Sequence, residues 1–216
     1  MRSSSRKGKR QIKRDNSRTP APHRYLIVCE GVRTEPNYFN GIKNIIDRKF
    51  KNRIEVDIIG TGFNTVQVVE EAVKRRNSNP NPYSKVWCVF DRDDLPAKNF
   101  NDAISMCEIE GIHAAWSNES IELWFLLHFQ FLDTGITRQD YIEKLKDIFT
   151  KKNINNGKYV KNMPEIHTIL TTFGDQKSAI KHATKLRELF CNDKSFANQN
   201  PSTTIHLFVQ ELEEYL

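Results

Sequence analysis

Apolar positions recur along this chain in two alternating rhythms. RYLIVCEG (24 to 31) is a continuous apolar run of strand length, and the following EPNYFNGIKNIIDRKF returns Tyr38, Ile42, Ile45, Ile46 and Phe50 at helical spacing. Thr34, Glu35 and Pro36 form a helix start, since proline is tolerated in a first turn. The unit repeats: RIEVDIIG (53 to 60) reads as a strand, and NTVQVVEEAVKRRN (64 to 77) places Val66, Val69 and Val73 on one helical face with Asn64 as cap. KVWCVFD (85 to 91) precedes a helix over 99 to 111 closed by Gly111, and IHAAWSN (112 to 118) runs into the helical SIELWFLLHF (120 to 129).

Strands that alternate with helices of roughly a dozen residues imply right-handed crossovers and a mostly parallel sheet covered on both faces. The expectation is therefore an α/β core over 24–130 with about four strands flanked by helices. Beyond residue 130 the strand signal fades. TRQDYIEKLKDIF, a lysine-rich connection around 151 to 161, and stretches near 163–172, 175–191 and 203–215 predict a helical extension over 131–216 packed on the core. PSTTIH (201 to 206) reads as a helix cap with Ser202 or Thr203 as acceptor.

The 216 residues suffice for one such domain, and 38% are hydrophobic. No run approaches the ~20 apolar residues of a bilayer span, which excludes a membrane-embedded chain. The net charge of +6 is misleading as a sum, because its location matters more. Residues 1–24 hold nine Lys/Arg against the single Asp15, so the remainder is slightly acidic. The segment 1–23 has almost no apolar content and is expected to be a disordered basic tail without the apolar core of a secretory signal. Its cations Arg6, Lys7, Lys9, Arg10, Lys13 and Arg14 read either as an arm laid along phosphates or as a solubilising tail. Cys29, Cys88, Cys107 and Cys191 lie far apart with no CxxC, which fits free thiols in a reducing cytoplasm and no zinc site.

In open parallel sheets, function gathers at the carboxyl ends of the strands, and here those ends carry acids. The first strand finishes at Glu30-Gly31 and the third at Asp91-Arg92-Asp93-Asp94. If those strands are neighbours, several carboxylates meet at one rim. Each would raise the pKa of the next, a cost that a divalent cation removes. Oxygen-only ligands point to Mg²⁺ or Mn²⁺, which activates water and stabilises a phosphoryl transition state. The bland alternative is that Asp91, Asp93 and Asp94 merely cap a helix and solvate a loop.

Taken together, CEGVRTEPNYF (29 to 39), VFDRDD (89 to 94), SNESIELWFLLHF (117 to 129) and NPSTTIHLFVQEL (200 to 212) resemble the RloB family, associated with bacterial restriction and abortive-infection loci. That family is similar in turn to the Toprim superfamily, with a Glu after the first strand and a DxD after a later one. The resemblance implies a Toprim-like (Rossmannoid) core in which Glu30, Asp91 and Asp93 hold the metal. Glu35 is implied as a further ligand or general base, and Gly31 as the glycine that lets backbone approach a phosphate. Ser117, Asn118 and Glu122 match the family's SNPxFE stretch, while Glu119 stands where the family has proline.

The function expected on this basis is a metal-dependent nuclease acting on DNA or RNA, the effector of an antiphage system. It would work with an AAA-type or ABC-type ATPase partner, since the chain lacks GxxxxGK[ST], and it is a candidate homodimer. Lys98, Arg92 or tail cations would neutralise developing charge. The competing expectation is a noncatalytic nucleic-acid-binding module with a metal-binding acidic rim. No tyrosine stands in an identifiable nucleophile position, which weakens topoisomerase readings.

Overall fold

The computed structural model describes residues 22–50, 53–93 and 96–215. The basic cations expected to contact nucleic acid, Arg6, Lys7, Lys9, Arg10, Lys13 and Arg14, lie outside the described residues, as does Asp94.

β1 (His23–Cys29) leads through α1 (Thr34–Lys49) to β2 (Ile54–Gly60), and α2 (Thr65–Ser78) leads to β3 (Lys85–Asp91). α3 (Ala97–Ile109) and β4 (His113–Asn118) follow, then α4 (Ile121–Leu127), α5 (Arg138–Lys151), α6 (Ile166–Phe173) and α7 (Gln176–Leu189). β5 (Ser202–Thr203) and α8 (Ile205–Leu212) complete the fold. The sheet order is β2-β1-β3-β4-β5, with the first four strands parallel. β1 and β3 are thus direct neighbours, as the acid arrangement requires.

Continuous apolar strands form because both faces of the sheet are covered. In β1, Tyr25, Ile27 and Cys29 enter one core with α1, α4 and the C-terminal helices, while Leu26 and Val28 enter a second core with α2 and α3. β3 divides in the same way, Trp87 and Val89 against Val86, Cys88 and Phe90. Tyr141, Leu145 and Phe149 of α5 and Phe208 of α8 share the first core with β1 and β3. Phe208 lies 4.7 Å from the Trp87 ring and 5.2 Å from Phe39, centroid to centroid.

Local signals hold where they were strongest. Asn64 caps α2 with a capping box to Gln67, and Gly111 takes φ +63 after α3. The α2 face is rotated from the expected one: Val68, Val69 and Ala72 are fully buried, and Val66 and Val73 only partly.

The C-terminal part is not wholly helical. Ser202 and Thr203 form β5, antiparallel to Asn118 and Ser117 of β4, and of the two it is Thr203 whose Oγ1 accepts from the backbone N–H of Ile205, the first residue of α8, at 3.3 Å. Thr203 Oγ1 also donates to the Trp116 carbonyl at 3.0 Å. Two small polar residues carry no period-two apolar pattern, and their pairing comes from the partner strand.

Candidate acidic cleft at the strand ends

The sheet order reverses direction between β1 and β3, because β2 lies beyond one and β4 beyond the other. Loops leaving such a switch point diverge and open a crevice. Here it is a cleft of about 310 Å³ lined by Glu30, Gly31, Arg33, Glu35, Asp91, Asp93, Glu122, Arg138 and Lys161, among others.

Glu30 follows the last residue of β1, and its Oε2 accepts from the Asp91 backbone N–H at 3.2 Å, joining the two strand ends directly. Glu35 lies in the first turn of α1 and folds back over Gly31. A side chain at Gly31 would place its Cβ 2.1 Å from Glu35 Oε2. The glycine is therefore needed for the approach of that carboxylate. Gly60 serves the same loop from β2, since a Cβ there would meet the Gly31 carbonyl at 2.7 Å.

After β3, backbone bonds from Arg92 N to Ser117 O (2.9 Å) and Asp93 N to Glu119 O (3.0 Å) pin the acidic loop to the end of β4. Asp93 takes φ +38, a left-handed backbone that aspartate tolerates better than most residues. Glu122 comes from the first turn of α4 and is completely buried; neither of its oxygens makes a hydrogen bond. The Asn118–Glu119 peptide just before α4 is cis.

The cation at the centre was not expected from sequence. Arg138, the first residue of α5, donates from Nη2 to Asp91 Oδ2 and is ion-paired through Nη1 with Asp93 Oδ2, each at 2.7 Å. Its Nε lies 3.7 Å from Glu122 Oε2. Burial opposes the guanidinium charge, but Asp91, Asp93 and Glu122 raise its pKa above the usual arginine value.

The acids are shifted the other way. Burial, opposed by the Asp91 N–H and reinforced by Asp93 and Glu35, pushes Glu30 up to about 7. Burial and the nearby Glu35 raise Asp91 well above the carboxylate range despite Arg138, while burial and Glu122 raise Asp93 against the same guanidinium. Glu35 is raised by burial and then by Glu122, with its own backbone N–H working against the shift. Among the described residues, five carboxylates share the cleft with Arg138, Lys161 and Arg33.

The other expected site residues fall elsewhere. Ser117 and Asn118 are buried and structural: Ser117 Oγ bonds Thr203 Oγ1 at 2.9 Å, and Asn118 Nδ2 donates to Ala197 O at 3.0 Å. Lys98 pairs with Asp102 on α3, and Arg92 Nη1 donates to the Asp93 carbonyl at 2.9 Å. The cations lining the cleft are Arg138, Lys161 and Arg33. Lys161 is delivered by the lysine-rich connection, whose Asn162 accepts at its carbonyl from Asn37 Nδ2 (2.9 Å) and bonds the Thr34 hydroxyl.

A family model for RloB-like proteins matches residues 25–212. The chain belongs to this family. The RloB-like match spans every element that supplies the cleft, from β1 to the loop before α6, and continues through α8. No curated protein and no solved structure matches the chain.

The donor chemistry of the cleft fits a hard divalent cation. It offers only oxygen ligands, two of them the buried Glu122 oxygens without hydrogen bonds, in an acidic setting. The spacing is different: among the described residues no three His, Cys, Asp or Glu side chains converge on one ion position. Arg138 occupies the space between the acids that a shared cation would take.

Proposed function

We propose that this RloB-like protein is a metal-dependent nuclease with a Toprim-like site, cleaving phosphodiesters of DNA or RNA as an antiphage effector with an ATPase partner. The observation that carries the reading is the meeting of five carboxylates, Glu30, Glu35, Asp91, Asp93 and Glu122, in one cleft at the sheet's switch point. Glu30, Asp91 and Asp93 are the residues that would hold Mg²⁺ or Mn²⁺, which when bound activates water and offsets charge on the phosphoryl group.

The chain's own groups divide the remaining tasks. Arg33 and Lys161 are exposed at the cleft and suit non-bridging phosphate oxygens. Glu35, buried against Gly31, is placed to accept a proton from water. Arg138 keeps Asp91 and Asp93 oriented.

The test is cleavage of plasmid, single-stranded DNA and tRNA with Mg²⁺ or Mn²⁺ by the native protein, Asp91→Asn and Glu30→Gln. Loss of at least 100-fold in both folded variants is expected. Equal activity in all three refutes the reading.

One observation favours a second reading. Arg138 neutralises the acidic loop as a structural ion-pair network does, which suits a noncatalytic nucleic-acid-binding module with an acidic rim. Nucleic-acid binding that is unchanged by Asp91→Asn, with no cleavage of any substrate, would establish that module instead.

A further inference from the structure

We propose that the start of α2, beside the cleft, is a nucleobase subsite in which Phe63 stacks on a base, so that the strand led to the cleft is single-stranded. This deepens the nucleic-acid reading above, on which it rests. It holds equally for the nuclease and for the noncatalytic module, since no metal ion takes part in it.

Phe63 is an apolar ring held out to solvent on a fixed support. It is 44% exposed, yet its N–H donates to Thr61 Oγ1 at 3.1 Å. The two residues before it are bonded to the end of the first strand, Thr61 N to Cys29 O at 2.9 Å and Gly62 N to Glu30 O at 2.8 Å. Asn64, the next residue, caps α2. A ring placed in this way gives up little freedom when it takes a ligand.

Singly exposed apolar residues are ordinary on a protein surface, but this one has company. Val32, 61% exposed, lines the cleft and lies so close to Gly62 that a Cβ there would meet its Cγ1 at 3.4 Å. Val160, 57% exposed, precedes Lys161 on the connection that reaches the cleft. Between these apolar positions stand the exposed cations Arg33 and Lys161. Apolar contact alternating with positive charge suits a strand that offers bases and phosphates in turn.

The groove on the far side of Phe63 has the chemistry of a base edge. It measures about 280 Å³ and is lined by Phe63, Gln67, Glu70, Glu71 and Lys74, one stripe along α2. The Gln67 amide oxygen accepts from the Asn64 N–H at 3.3 Å, which leaves its NH₂ to donate, and Glu70 is exposed as an acceptor. Side-chain amides and carboxylates pair with the donors and acceptors of bases. A base inside a duplex is stacked on both faces and paired at its edge, so it reaches Phe63 only from a single strand.

The experiment is fluorescence anisotropy of the full chain in EDTA, with one short labelled sequence supplied as single-stranded DNA, single-stranded RNA and duplex DNA. Native protein is compared with Phe63→Ala and Phe63→Trp. Trp87, Trp116 and Trp124 are all buried, so Phe63→Trp adds an exposed indole whose emission reports a stacked base directly. Native protein is expected to bind a single strand more tightly than the duplex. Phe63→Ala should weaken single-strand binding about 10-fold and leave duplex binding unchanged. Phe63→Trp should keep the native affinity, with its emission quenched by single strands and not by the duplex.

Equal single-strand affinity of native protein and Phe63→Ala overturns the inference and leaves the nucleic-acid reading standing. So does a bound single strand that fails to quench Phe63→Trp, the measurement that decides if Phe63→Ala does not fold. Absence of binding to every oligonucleotide removes the inference and the nucleic-acid reading together.

Discussion

Arg138 Nη2 donates to Asp91 Oδ2 across 2.7 Å, joining the start of α5 to the end of β3 over 47 positions of sequence. Asp91 is 3% exposed, so the bond holds a buried carboxylate whose other neighbours are mostly acids. Removing one partner of a buried pair costs about 3–5 kcal/mol, less here because the Arg138 side chain is 32% exposed. Arg138→Ala is expected to lose about 2 kcal/mol at pH 8 without divalent ions, a fall in Tm on the order of 4–8 °C. Thermal unfolding checks this, and an unchanged Tm would show that the acids do not depend on the guanidinium.

Gly31 and Glu35 supply a coupled pair. A methyl at Gly31 collides with the Glu35 carboxylate, so Gly31→Ala should destabilise by about 1–3 kcal/mol. In the double variant Gly31→Ala, Glu35→Ala, most of that cost should vanish, because the colliding atoms are gone. Urea unfolding of the four proteins in the cycle measures the coupling. Additive effects would place the cost of Gly31→Ala somewhere other than Glu35.

Thr204 is the pin between β4 and the last helix. Its Oγ1 accepts from the Trp116 backbone N–H at 2.8 Å and donates to the Ala114 carbonyl at 3.1 Å. Thr204→Val keeps the shape and orphans a buried N–H, which should cost about 1–3 kcal/mol. Denaturant midpoints of the two proteins test it, with faster amide exchange expected at Trp116.

Acid should weaken the helical side through His128. The imidazole is 2% exposed, its Nδ1 donates to the Trp124 carbonyl at 2.9 Å, and His167 and Asp175 are the titratable groups nearest to it. Burial lowers its pKa to about 4, against the ordinary 6.5. Between those values the unfolded chain binds a proton that the folded chain refuses, so the contribution is intact above pH 6.5 and is lost as pH falls toward 4. The raised carboxylates of the cleft act oppositely, since Glu30 takes up its proton in the folded state near pH 7. The histidine effect is therefore read as a difference. Relative to His128→Gln, the native protein should lose about 2 kcal/mol between pH 7 and 4.5. A constant difference over that interval would contradict the assignment.

Much of the sheet was legible because parallel strands covered on both faces are nearly continuous apolar runs. YLIVC and VWCVF needed no partner to be read as strands. The acids were legible for a related reason: Glu30 and Asp91 close such runs, where a charge is conspicuous. Glu122 stood out equally, as a carboxylate inside an apolar helix. Arg138 gave no such signal, being one of 33 Lys/Arg in a stretch that looks like an ordinary amphipathic helix. β5 was hidden as well, because two hydroxyl residues beside a proline read naturally as a helix cap.

The sequence by itself determined the four parallel strands, the helices between them and which strands end in acids, since those follow from local periodicity and from the rarity of charge within apolar runs. Only the tertiary structure decided what those acids face. Placing β1 beside β3 brings Glu30 against the Asp91 backbone, and docking α5 through Tyr141, Leu145 and Phe149 carries Arg138 between Asp91 and Asp93. The selection of that one cation is a result of packing geometry over long sequence separations, on which local propensity has no purchase.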